Sequence, residues 1–137
     1  MSDENPGYIL RISKEEWLEQ VFRLKRYYPG LMRRYKPGTP ILFVKKADEG
    51  DSFVGYGAID KIEMPWELPP EDEEYCRSNN WKCCITFRED MMRWDRPLPI
   101  KESILNGDNR KGSYLHGIKL STEHVNTILK DAEAYQS

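Results

Sequence analysis

Pro37-Gly38-Thr39-Pro40-Ile41-Leu42-Phe43-Val44-Lys45-Lys46-Ala47-Asp48-Glu49-Gly50-Asp51-Ser52-Phe53-Val54-Gly55-Tyr56-Gly57-Ala58-Ile59-Asp60-Lys61-Ile62 reads as a β-hairpin introduced by a turn. Pro37-Gly38 supplies the turn signal, and the unbroken apolar run Ile41–Val44 is too hydrophobic for an exposed edge strand. Asp48-Glu49-Gly50-Asp51 is the polar connection. Phe53 to Ile62 alternates as the returning strand, and Gly55 and Gly57 within it mark a bend or the close approach of another backbone or a ligand. The pair belongs at the centre of a sheet.

Working outward, Tyr8-Ile9-Leu10-Arg11-Ile12 is a shorter strand. Ser13, with Glu16 three residues on, offers a capping box for a helix whose apolar stripe is Trp17, Leu18, Val21, Phe22 and Leu24. Pro29-Gly30 requires that helix to end by Tyr28. Beyond the hairpin, residues 63–80 read as a long acidic loop in which Glu71 to Ser78 can form one or two helical turns. Trp81 to Phe87 is a third sheet strand. Arg96-Pro97-Leu98-Pro99-Ile100 is an extended segment that its prolines confine to an edge. A loop over 106–112 precedes a last strand, Tyr114 to Lys119, and Ser121 caps a closing helix with Val125, Ile128, Leu129 and Ala132 on one stripe. The order β, α, strand meander, α predicts an α+β fold over residues 1–137: a curled, mainly antiparallel, barrel-like sheet flanked by helices, with 1–6 as a flexible tail.

The composition, 21 Lys+Arg against 23 Asp+Glu in 137 residues, excludes a uniformly basic chain that binds nucleic acid by bulk charge. The distribution is uneven. Residues 20–47 carry +8 and no acid, and the remainder carries −10. No apolar run approaches the ~20 residues of a membrane span, the N-terminus is acidic, and three cysteines (two of them adjacent) make no disulfide framework. A cytoplasmic setting is expected, with no membrane association.

Cys76, Cys83, Cys84, His116 and His124 lack metal-ligand spacing, so neither a metal nor a cofactor is predicted. At least one of these cysteines is expected in the core. There is no phosphate-binding loop, and Gly55-Tyr56-Gly57 lacks the rest of a dinucleotide fingerprint. The remaining constellation interleaves cations with aromatics, Arg23, Lys25, Arg26, Tyr27, Tyr28, Arg33, Arg34, Tyr35 and Lys36, and Lys45 and Lys46 extend it. Phosphate favours Arg and Lys, and aromatic faces stack on unpaired bases. The alternative is a solvated basic face. Arg93 with Trp94, and Arg110 with Lys111, are candidates to enlarge the same surface.

Taken together, Tyr8–Ile12, Ser13-Lys14-Glu15-Glu16-Trp17, Lys36-Pro37-Gly38 before Ile41–Val44, the Val54-Gly55 return, Pro97-Leu98-Pro99-Ile100 and Leu115-His116-Gly117 before the last helix resemble the PUA-like superfamily, in particular its EVE-type branch and related archaeal domains of unknown function. The resemblance implies a small curled β-barrel with a cleft between barrel and helix for a nucleotide or base. PUA domains bind RNA, and EVE and YTH domains hold a modified base in an aromatic pocket. The Gly-x-Lys-x-x-Glu-x-Arg pattern of ASCH relatives is absent. By position, the resemblance puts Trp17 and the Arg33–Lys36 loop beside the cleft, with Trp66, Trp81 and Trp94 as candidates for a second stacking wall.

The expectation is therefore a non-catalytic nucleic-acid-binding module, with RNA preferred to DNA through the resemblance, or one that takes a nucleotide-like small molecule. Two alternatives stay open. One is an enzyme acting on a nucleotide or RNA in the same cleft, with Lys45, Asp60, Glu63 or His116 as acid/base groups. The other is a protein-interaction domain that uses the acidic loop.

Overall fold

The computed structural model describes residues 6–30, 33–106 and 115–136. Most of the predicted N-terminal tail, Arg110 and Lys111, and the Tyr114 start of the last predicted strand lie outside them. In chain order the elements are β1 (Gly7–Arg11), α1 (Glu15–Leu24), β2 (Arg26–Tyr27), β3 (Pro40–Ala47), β4 (Gly50–Glu63), α2 (Pro70–Ser78), β5 (Cys84–Phe87), β6 (Met92–Pro99), β7 (Lys119–Leu120) and α3 (Thr122–Tyr135). Short 3-10 turns stand at Pro65–Glu67 and Ile100–Glu102. Among the described residues no helix is long and apolar enough to cross a membrane.

The hairpin β3–β4 is central, paired from Pro40↔Ala58 to Ala47↔Gly50. Successive strand side chains point to opposite faces, and here both faces are covered. Ile41 and Phe43 pack with Tyr8, Leu10 and the α1 residues Leu18 and Val21. Leu42 and Val44 pack with Ile9 and the α3 residues Val125 and Ile128. This double burial is why Ile41–Val44 is apolar without alternation. Gly55 serves a close approach: an added Cβ would collide with the Phe22 ring and stand 2.7 Å from the Met92 carbonyl oxygen, next to a register shift between β4 and β6.

The strand order is β2-β5-β4-β3-β1-β7, with β6 on β4, and β1–β3 is parallel while the other pairings are antiparallel. The predicted barrel is not closed by a ladder, because among the described residues β2 and β7, at the two ends of that order, are not paired with each other. A side chain spans the gap instead. The Arg11 backbone N–H donates to His116 Nδ1 at 3.0 Å, and His116 Nε2 lies 3.3 Å from the Tyr27 hydroxyl on β2.

Several predicted boundaries move. Helix α1 ends at Leu24, ahead of Pro29-Gly30, with Lys25 in the left-handed region at φ 56°. The cause is nonlocal: Arg26 and Tyr27 pair with Thr86 and Ile85. Ser13 does not cap α1. The Ile12 N–H still bonds to the Val44 carbonyl, which keeps the chain in the sheet, and Lys14 takes the N-cap position. The 63–80 segment is a 3-10 turn and a nine-residue helix rather than a long loop. Pro70 near its start and acids in its first turn favour that helix through the macrodipole. Strand β5 begins at Cys84, after Trp81, and β6 begins at Met92, four residues before the predicted edge segment. His116 sits in a turn rather than mid-strand, which frees its ring to reach across the gap. All three cysteines are buried, and none forms a disulfide among the described residues.

Candidate nucleic-acid interface

The opening between β2 and the β1/β7 end of the sheet holds a cleft of about 490 Å³. Residues that the ladder leaves at the opening line its floor: Arg11 and Ile12 at the end of β1, Tyr27 on β2, and His116. Helix α1 forms one wall with Trp17, Gln20, Val21 and Leu24. The Trp17 ring is 50% exposed, and Lys14 Nζ sits 4.7 Å from its centroid.

A second group of lining residues is aromatic. Tyr28 and Trp81 stack with centroids 5.0 Å apart and planes 21° apart. Tyr75 of α2 meets Trp81 edge-on at 4.9 Å. The loop beneath is held by two backbone bonds, from the Trp81 N–H to the Cys76 carbonyl and from the Lys82 N–H to the Pro29 carbonyl, both at 2.9 Å. Arg26 lines the cleft too, 3.9 Å from Asp72. Burial pushes the Tyr27 phenol up to about 12, raises that of Tyr28, and lowers the pKa of His116, with the Arg33 guanidinium acting in the same direction on the histidine. Tyr27, Tyr28 and His116, each shifted toward its neutral form, thus line the slot together with Tyr75 and the cations Arg11 and Arg26.

Of the residues singled out from sequence, the cleft gathers Trp17, Trp81 and Arg26. Lys45 and Lys46 line a second, larger groove of about 810 Å³ together with Trp94, Arg93 and Arg96. That groove also carries Glu15, Asp48, Glu49 and Asp95, so its cations are matched by carboxylates, and Arg93 holds the Glu15 carboxyl below its ordinary range from 2.6 Å. Trp94 is buried against the α3 side of the core. Tyr35 is also a core residue, edge-on to Tyr8 at 5.2 Å, so its ring is not a surface stacking face. Arg34 and Lys36 are exposed, whereas Arg33 packs on the Gly117 backbone. Trp66 is exposed on its 3-10 turn and lines neither cavity.

Tyr28 was named only as one aromatic of the basic stretch and not as a wall of a pocket. Tyr75 was not singled out, because it lies within the acidic run, where charge masks it. The spacing Tyr75-x5-Trp81 across a helix C-terminus is the signal that could have paired them.

The arrangement of sheet and flanking helices is one that solved ASCH and YTH domain structures share. No family model matches the chain, and neither does any curated protein. Among solved structures, a hypothetical protein from Leishmania major is similar over all of both chains at 14% identity and a TM-score of 0.63. The ASCH protein of Zymomonas mobilis is 10% identical, with a TM-score of 0.64 over 94% of this chain and 96% of that one. The YTH domain of the Zygosaccharomyces rouxii MRB1 protein, solved in complex with N6-methyladenosine RNA, is 12% identical, with a TM-score of 0.60 over 97% of this chain and 90% of that one. At these identities the likeness is one of fold.

Proposed function

We propose that the chain is a non-catalytic RNA-binding module, of the EVE-type or a related PUA-like branch, that inserts one unpaired base between Trp17 and the Tyr28–Trp81 pair, with a methylated base as its preferred occupant. The observation that carries the reading is one open cleft lined both by Trp17 and by the stacked Tyr28–Trp81 pair. Stacking on such faces contributes about 1–3 kcal/mol per base. An apolar slot suits a methyl group, and the similar YTH domain was solved with methylated RNA. Arg26 at the cleft and Arg34 and Lys36 on the exposed loop supply phosphate contacts.

The residues considered for acid/base chemistry do not converge. Lys45 lines the other groove, Asp60 and Glu63 line neither cavity, and both ring nitrogens of His116 are engaged within the fold. This favours binding over turnover.

Fluorescence anisotropy with short single-stranded RNAs, with and without one N6-methyladenosine, tests the reading at low and moderate salt. Affinity should fall as salt rises, exceed that for the matching DNA, and drop in the Arg34→Ser/Lys36→Ser variant without loss of folding. Absence of binding to every RNA at low salt refutes it.

A further inference from the structure

The cleft floor carries a hydrogen-bond relay that neither stacking nor phosphate contact uses. His116 Nδ1 accepts the Arg11 backbone N–H at 3.0 Å, so that nitrogen carries no proton in the neutral ring. The ring proton is therefore on Nε2, which faces Tyr27 Oη at 3.3 Å. Nε2–H donates to the phenol oxygen, and the phenol's own proton must point elsewhere. Tyr27 and His116 both line the cleft, and among the described residues His116 is the one hydrogen-bond partner of the Tyr27 hydroxyl, which leaves that proton available to a ligand in the cleft.

We propose that the Tyr27 hydroxyl is the specificity-determining donor of this cleft, reading an acceptor (a ring nitrogen or a carbonyl oxygen) on the edge of the inserted base. His116 is the positioning residue that fixes the direction of that donor. The inference rests on the reading of the cleft as a base-binding slot and adds a selection rule to it. Stacking tolerates every base, because each has a π-face. A half-buried hydroxyl does not: a base without an acceptor at that edge leaves the donor desolvated and unpaired, which costs about tenfold or more in affinity.

The test uses the full chain and short single-stranded RNAs with one variable base. The tightest-binding base is compared with analogues in which each ring-nitrogen acceptor in turn becomes C–H, or each carbonyl oxygen becomes sulfur. Wild type should lose about tenfold on at least one analogue. Tyr27→Phe should bind parent and analogue equally, at the weakened level, while remaining folded by circular dichroism. His116→Gln, whose amide offers an acceptor beside a donor, should keep the discrimination, and His116→Leu should lose it. Trp17→Ala should weaken parent and analogue alike. If wild type binds RNA in a Trp17-dependent way yet treats all analogues as equal, or if Tyr27→Phe still discriminates, this inference fails and the base-binding reading stands. If no RNA binds, both fall together.

Discussion

Trp17 and Leu18 are neighbours in the first turns of α1, yet Leu18 is fully buried while half of Trp17 faces solvent over the cleft. An exposed indole contributes little to folding. Trp17→Ala should therefore change unfolding free energy by less than about 0.5 kcal/mol while weakening RNA binding by about 1–3 kcal/mol. Trp81→Ala should show a similar binding loss together with a stability loss of about 1 kcal/mol or more, because it removes the stack on Tyr28 and the edge contact with Tyr75. Equal binding by wild type and both variants, measured by anisotropy, would remove the aromatic walls from the site. His116 makes a pH-dependent contribution. Burial lowers its folded pKa below the ordinary 6.5, so below that value the unfolded chain binds more protons than the folded one. Its stabilising effect is complete above about pH 6.5 and is lost as pH falls toward the folded value. Urea unfolding between pH 7 and 5 should show a steeper loss for wild type than for His116→Gln, and a steeper loss for the variant would contradict the assignment.

At the scale of elements, the early end of α1 shows local signals yielding to pairing. Pro29-Gly30 permits helix as far as Tyr28, but the ladder of Arg26 and Tyr27 with Thr86 and Ile85 takes those residues into the sheet. The chain makes this change of direction at Lys25, whose left-handed backbone is strained for a residue with a side chain. Lys25→Gly should accordingly raise stability by up to about 1 kcal/mol, read as a shift in urea midpoint at constant slope. A loss would mean that the Lys25–Glu89 ion pair, 3.6 Å long, outweighs the backbone relief. The same register turns Tyr27 toward His116 and places Tyr28 beside Trp81, so the terminus of one helix sets the geometry of the cleft.

Across the whole molecule, the +8 block does not become one basic face. It is divided among the cleft (Arg26), the second groove (Lys45, Lys46) and the exposed loop (Arg34, Lys36). Helix α2, with Glu71, Asp72, Glu73 and Glu74, contributes Tyr75 to the aromatic wall, so an acidic element stands beside the slot. Its field opposes phosphate within about a Debye length of 8–10 Å. Glu71→Gln/Glu74→Gln should raise RNA affinity at low salt by a few fold, with the gain vanishing near 1 M salt, as titrations at several ionic strengths would show. An unchanged low-salt affinity would mean that the RNA backbone leaves the cleft on the side away from α2.

Much of the fold was legible because it is written locally. The unbroken run Ile41–Val44, the alternation after Gly50 and the stripe of α3 each describe how a segment meets a core. The candidate site was legible only in part. Trp17, Trp81 and Arg26 were identified as residues, but so were Tyr35 and Trp94, which tertiary packing consumes in the core. By itself the sequence determined the hydrophobic periodicity, and through it the order of strands and helices, because burial of a strand or helix face depends on residues a few positions apart. Only the tertiary structure decided that the sheet stays open between β2 and its β1/β7 end, and that Trp17, Tyr28, Tyr75 and Trp81 line one cleft there. Those contacts join residues far apart in the chain, and no local pattern encodes which distant side chain comes to lie opposite.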